Sequence, residues 1–110
     1  MLAAGRGKII NVLSIAATTP LAGANVYAGT KAGLHMFAKS LALEVRRQGV
    51  QVCNILPGAT NTSMWDGAPG PDRADMLTPS AVADAVEFVL NAPYDRYIED
   101  IVLTPPKGIL

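Results

Sequence analysis

The chain has 110 residues, 50% of them hydrophobic and 16% charged, with nine acidic groups against nine basic ones. That composition is enough for one globular domain at most, and the net charge of zero excludes the basic surplus by which proteins usually meet nucleic acid or an anionic bilayer. A single Cys53 and a single His35 exclude an intrachain disulfide framework, a thiolate metal cluster and a His-rich metal site, so no metal is expected and a cytoplasmic setting is.

Residues 1–6 read as the tail of a helix, and Gly5 and Gly7 break the chain before the first strand. Residues 8–14, Lys-Ile-Ile-Asn-Val-Leu-Ser, form a β-branched apolar run of the kind that makes a strand buried on both faces. Arg6 and Lys8 ahead of the apolar stretch 9–17, with Ala22, Gly23 and Ala24 beyond it, also trace the outline of a secretory signal peptide. Asn11, Ser14, Thr18, Thr19 and Pro20 interrupt that outline, and the same polar groups rule out a membrane span, which needs about twenty predominantly apolar residues.

The segment 25–47 contains no proline and is long enough for about six helical turns. At 100° per residue Tyr27, Lys31, Leu34, Ala38, Leu41 and Val45 fall on one stripe, while Ala32, Met36 and Leu43 gather on the opposite side with Val26 and Phe37 nearby. Both faces therefore need covering. Gly49 ends this helix, and residues 50–56 make a second β-rich run stopped by Pro57-Gly58. Residues 58–77 carry Pro69, Pro71 and glycines at 58, 67 and 70 without a period, which suits a functional lid better than a plain connection. Thr78 then caps a second helix with Pro79 at its first position, running through Val82, Val86, Val89 and Leu90 to Asn91. Residues 97–104 read as a third strand, ended by Pro105-Pro106.

The order β-α-β-α-β is half of a doubly wound α/β parallel sheet. Its first strand is as apolar as a central strand, so a neighbour on its far side is expected. Two helices and a helical stub also cover three strands poorly on both faces. A preceding N-terminal part is expected for both reasons.

Tyr27 and Lys31 lie four residues apart at the start of the long helix, on one face and near the carboxyl edge of the sheet, where open α/β sheets bind ligands. A free tyrosine titrates near pH ~10 and is a poor acid or base at neutrality, but a lysine one turn away stabilises the phenolate. A hydroxyl that hands a proton to a carbonyl as hydride arrives needs a second donor to fix the oxygen. Ser14, thirteen residues before Tyr27 at the end of the first strand, is placed for that. The plain alternative is a tyrosine and a lysine on an amphipathic surface; against it, Lys31 lies on the apolar stripe, where a lysine without a task is costly.

Asn11-Val12-Leu13-Ser14, the spacing from Ser14 to Tyr27, Tyr27-Ala28-Gly29-Thr30-Lys31-Ala32-Gly33 and Asn54-Ile55-Leu56-Pro57-Gly58-Ala59-Thr60-Asn61-Thr62 together resemble the short-chain dehydrogenase/reductase family, over essentially the whole chain. The resemblance implies a three-layer Rossmann-type parallel sheet, of which this chain is the C-terminal β-α-β-α-β part, and an oxidoreductase using NAD or NADP on a small-molecule carbonyl or alcohol. In that reading Tyr27 is the acid/base, Lys31 assists it and holds the nicotinamide ribose, and Ser14 binds the substrate oxygen. Pro57 and Gly58 lie against the nicotinamide, the Thr60 backbone and the Thr62 hydroxyl reach its carboxamide or phosphates, and Met64 and Trp65 line the substrate pocket or simply anchor the loop. The family's Gly-rich cofactor loop, its Asn-Asn-Ala-Gly segment and its helix-borne catalytic asparagine have no counterpart here, so the 110 residues alone are expected to bind cofactor poorly. The ending 101–108 also differs from the Gly-rich one common among acyl-carrier-protein ketoreductases.

The resemblance further implies a homo-oligomer through helix 25–47, whose second apolar face a partner subunit would cover. The alternative function is an inactive fragment that at most pairs with a full-length relative through that helix. His35, about 80° around the helix from Tyr27, reads as a surface histidine, Cys53 as a small core residue, and Arg46-Arg47 as complements of the helix dipole.

Overall fold

The computed structural model describes residues 1–109, in which strands β1 (Gly7–Val12), β2 (Val50–Pro57) and β3 (Asp100–Leu103) alternate with helices α1 (Asn25–Val45) and α2 (Pro79–Asn91). The strands form one parallel sheet in the order β1-β2-β3. Parallel neighbours need a crossover between them, and α1 and α2 are those crossovers. Successive strand residues point to opposite faces, and the packing follows that alternation. Val50 and Val52 meet Ala38 and Val45 of α1 with Ile9 of β1 beside them, whereas Cys53 and Ile55 meet Ala85 and Val89 of α2 with Ile10 and Ile101 beside them. The result is three layers, helix on sheet on helix, as the sequence predicts.

Local chemistry fixes the ends. The Thr78 hydroxyl accepts the Ala81 N–H and Pro79 opens α2, the cap and first-turn proline expected there. Beyond Val45, α1 tightens into the turn Arg46–Gln48 and stops at Gly49, which adopts φ +83°. Only glycine suits that left-handed position, and any Cβ there would collide with the Gly5 carbonyl. At the other end of α2, Lys8 of β1 donates through Nζ to the Val89 and Leu90 carbonyls at 2.7 and 3.3 Å, which puts a cation on the helix's negative end.

Four expectations change. Residues 1–6 are turn rather than helix: Gly5 stands at φ +64° and the Arg6 N–H returns to the Met1 carbonyl at 3.3 Å. The third strand is shorter than 97–104, because only Asp100–Leu103 finds partners, on Asn54–Pro57. Tyr97 instead accepts the Val52 N–H with its hydroxyl at 2.8 Å. Arg46 does more than face the helix dipole, since its guanidinium lies 4.3 Å from the Tyr97 ring centroid and 3.4 Å from Glu99.

The fourth correction concerns His35, which is buried, only 6% exposed. Its Nε2 lies 3.1 Å from Asp100 Oδ2, with the Lys39 ammonium 3.8 Å from the same oxygen. Asp100 Oδ1 accepts from the Asn54 amide, and Asn54 Oδ1 accepts from the Asn11 amide, both at 3.0 Å. One row of three register partners, Asn11, Asn54 and Asp100, therefore crosses the sheet as a hydrogen-bonded chain beneath α1. His35 takes the inward position that periodicity assigns to Leu34, which is 44% exposed. Replacing Asp100 with alanine leaves the His35 ring and the Asn54 amide without their acceptor, and a buried unsatisfied polar group costs about 2 kcal/mol. The urea midpoint is expected to fall accordingly, and Asp100→Asn, which keeps an acceptor oxygen, should recover part of it.

Cys53 is buried as expected. Burial first, then the Asp100 carboxylate, pushes its thiol up to about 11, with Lys8 opposing. Unfolded, the thiol ionises near its ordinary value of about 8.5, so from there to about 11 the folded chain holds more protons than the unfolded one. Stability is then complete below the unfolded value and falls as pH rises through this window. Urea midpoints taken at both ends of the window should show this alkaline loss, and Cys53→Ala should reduce it.

The second apolar face of α1 lies open. Val26 and Leu43 are 77% and 74% exposed, and Met36 and Phe37 are exposed beside them.

Candidate active site

β1 and β2 end side by side, and the chain turns away from both at the same edge of the sheet. After β1, Ser14 caps the short turn Ile15–Ala17: its Oγ accepts the Ala16 N–H at 3.1 Å. A hydroxyl that spends a lone pair this way keeps its proton for donation. Ser14 is nevertheless 8% exposed, so what it can donate to lies inside the neighbouring cleft. After β2, Pro57-Gly58 leads into the long loop, where the Thr60 hydroxyl donates to the Gly58 carbonyl at 3.0 Å. Thr62 caps Ser63–Trp65 by accepting the Met64 N–H, and it too retains its own proton.

These segments enclose a cleft of about 500 Å³. It is lined by Ser14 and Tyr27, by Pro57, Gly58, Thr60 and Thr62, and by Met64 and Trp65 of the loop. Lys31 does not line the cleft. Its ammonium sits 5.6 Å from the centroid of the Tyr27 ring, within the range of cation–π attraction. Tyr27 itself is 36% exposed, on the first turn of α1.

The loop is held by contacts that its composition does not announce. Arg73 lies 2.9 Å from Asp66 and also donates to the Thr62 carbonyl, while Lys107 lies 2.8 Å from Asp75. Asp72 caps Arg73–Asp75 by accepting the Ala74 N–H, a signal readable in advance as an acidic residue opening a turn. Leu21, between Ser14 and Tyr27 in the chain, and Val82 of α2 add to the apolar lining.

The donor set suits the nicotinamide end of NAD or NADP. A flat ring would need an apolar floor, which Pro57 and Gly58 of the lining would provide, and a carboxamide would need a hydrogen-bond donor, which the free proton of Thr62 would provide. Among the described residues no group of three or more His, Cys, Asp or Glu side chains could hold a metal ion, and no helix is long and apolar enough to cross a membrane.

Comparison with known proteins agrees with this architecture. An uncharacterized oxidoreductase of Staphylococcus epidermidis is 33% identical over 105 residues, which is 96% of this chain and 45% of the relative. Among solved structures, serine dehydrogenase from Escherichia coli superposes with a TM-score of 0.79 at 31% identity, over 94% of this chain and 42% of that one. The β-ketoacyl-[ACP] reductase of Bacteroides thetaiotaomicron superposes with 0.77 at 30% identity, over 97% and 44%. A metagenomic short-chain oxidoreductase, solved in complex with NADP, superposes with 0.73 at 28% identity, over 96% and 41%. The chain thus spans about half the length of the curated relatives it matches. The family model for short chain dehydrogenase matches residues 1–70, the stretch that holds β1, α1, β2 and their two loops, and on that match the chain belongs to the short-chain dehydrogenase family.

Proposed function

We propose that residues 1–110 form one partial domain, the catalytic and substrate-binding part of an NAD(P)-dependent oxidoreductase acting between a small-molecule carbonyl and its secondary alcohol. The observation that carries the reading is the meeting of Ser14 and Tyr27 in one cleft with the Lys31 ammonium 5.6 Å from the tyrosine ring. The cofactor, when bound, supplies or accepts the hydride. Ser14 donates its free proton as a hydrogen bond to the carbonyl oxygen, Tyr27 gives up its phenolic proton to that oxygen, and Lys31 stabilises the phenolate that remains. Tyr27 and Lys31 also hold the nicotinamide ribose, Pro57 and Gly58 lie against the ring, and the Thr60 backbone and Thr62 hydroxyl take its polar groups. Met64 and Trp65 face the substrate. The lone buried Cys53 supports a cytoplasmic setting.

The test joins this chain to the N-terminal half of the Staphylococcus epidermidis relative and follows nicotinamide absorbance with NADH and with NADPH over a panel of ketones. Carbonyl-dependent oxidation is expected in the joined protein and little or none in the 110 residues alone. Ser14→Ala should slow it by about 10²-fold, the usual loss for one oxyanion donor. A Ser14→Ala protein of unchanged rate would remove Ser14 from the mechanism.

The open face of α1, with Val26, Met36, Phe37 and Leu43 exposed, favours a second property. It pairs with a copy of itself or, in an inactive fragment, with the same helix of a longer relative, because exposed apolar patches of this kind mark association surfaces. Light scattering should give a multiple of the single-chain mass, and Phe37→Asp should return it to one chain.

A further inference from the structure

The side chains that line the cleft carry no formal charge. Among the described residues that form it there is no Asp, Glu, Lys, Arg or His. In the loop above, Asp66 pairs with Arg73 at 2.9 Å, Asp75 pairs with Lys107 of the C-terminal segment at 2.8 Å, and Asp72 accepts the Ala74 N–H. A carboxylate or phosphate entering this space would shed its hydration without gaining a counter-ion, which is strongly unfavourable. The remaining polarity is concentrated in a few hydroxyls, those of Ser14, Tyr27, Thr60 and Thr62.

One wall is aromatic and braced. Trp65 is half-buried and lines the cleft. Its six-membered ring lies against the backbone of Gly70, so closely that a Cβ on Gly70 would overlap Cζ3 and Cε3 of the indole. The indole therefore packs directly against the main chain of Gly70. A braced aromatic plate rewards flat partners, through offset or edge-to-face contacts.

We infer that the substrate of this site is a neutral, flat, apolar carbonyl compound, aromatic or conjugated, whose ring packs on Trp65 while its oxygen meets Ser14 and Tyr27, and that carboxylate-bearing compounds are excluded. The inference rests on the cleft being the carbonyl site proposed above, and it names the class of substrate for that site. Trp65 is the specificity-determining side chain and Gly70 is the residue that positions it.

Because the sequence contains one tryptophan, the 110-residue chain gives one indole N–H resonance, and that signal reports the cleft without cofactor or turnover. The probes are acetophenone, its charged analogue 4-acetylbenzoate, and its saturated analogue cyclohexyl methyl ketone. Acetophenone is expected to shift the resonance saturably, cyclohexyl methyl ketone several-fold more weakly, and 4-acetylbenzoate at least about tenfold more weakly for want of a counter-ion. Gly70→Ala, which displaces the indole, should weaken acetophenone about tenfold while the methyl resonances of Ile55 and Val89 stay in place. Equal binding of 4-acetylbenzoate, no saturable shift with acetophenone, or indifference to Gly70→Ala would each overturn the assignment. The redox reading fails separately: if acetophenone binds selectively but the joined protein transfers no hydride to any ketone, the ligand class stands and the catalytic proposal falls. If hydride transfer occurs and 4-acetylbenzoate binds equally, the reverse holds.

Discussion

Replacing Tyr27 with phenylalanine is expected to lower carbonyl reduction by the joined protein about 10³-fold or more, the range for loss of a positioned acid, while leaving ketone affinity within a few-fold. The substitution keeps the ring that lines the cleft and the Lys31 ammonium near it, and removes only the phenolic hydroxyl. A loss confined to kcat means that the hydroxyl acts in the transition state rather than in binding. Lys31→Met should give a smaller drop, because the phenol remains but its anion loses the neighbouring cation. Steady-state rates at saturating ketone decide the matter. A Tyr27→Phe rate within tenfold of the parent would end the acid/base assignment.

Ile55→Ala is expected to destabilise the chain by about 4 kcal/mol, in the range for truncating a fully enclosed isoleucine. Ile55 has no exposed surface, lies on the central strand β2, and packs in the cluster with Ala85 and Val89 of α2. Its carbonyl also accepts the Leu13 N–H at 2.8 Å, so the same residue anchors the backbone immediately before Ser14. A domain of this size commonly has only about 5 to 15 kcal/mol in total, and the loss should therefore show as a cooperative transition moved to much lower urea or missing altogether. In the single-chain Phe37→Asp protein, Val26→Ala, on a side chain 77% exposed, should change stability by less than about 0.5 kcal/mol. Equal effects at the two positions would mean that the core is elsewhere.

The residues whose conformation is decided by neighbours in sequence are readable without the structure. Thr78 and Pro79 announce the start of α2 because capping and proline geometry are local, and Gly49 announces the end of α1 for the same reason. Ser14, Tyr27 and the Pro57-Gly58 turn come to one cleft because a β-α-β crossover delivers strand ends and helix starts to the same edge. Periodicity misplaces His35 because α1 is apolar all round: with Met36 and Phe37 on one side and Ala38 and Leu41 on the other, the stripe cannot say which side meets the sheet. The partner that draws His35 inward, Asp100, is 65 residues away and invisible to a local window. The third strand is overextended in sequence because Tyr97 and Ile98 have strand-like side chains, whereas pairing depends on what β2 offers opposite them. The Arg73–Asp66 contact and the bracing of Trp65 by Gly70 depend on how the loop folds back on itself, for which its Gly and Pro content gives no register.

The row Asn11, Asn54 and Asp100 has a consequence for how the strands find one another. Isoleucine and valine are nearly interchangeable as neighbours, so strands made only of them lose little by sliding two residues, a shift that keeps every side chain on its own face. Amides and a carboxylate are not interchangeable with their surroundings. After such a slip they would face aliphatic groups, dry and unpaired, at a cost no apolar contact repays. The row therefore works as an alignment mark across segments 43 and 46 residues apart. It admits one setting of the sheet, and that setting is the one that brings the ends of β1 and β2 level beneath the cleft.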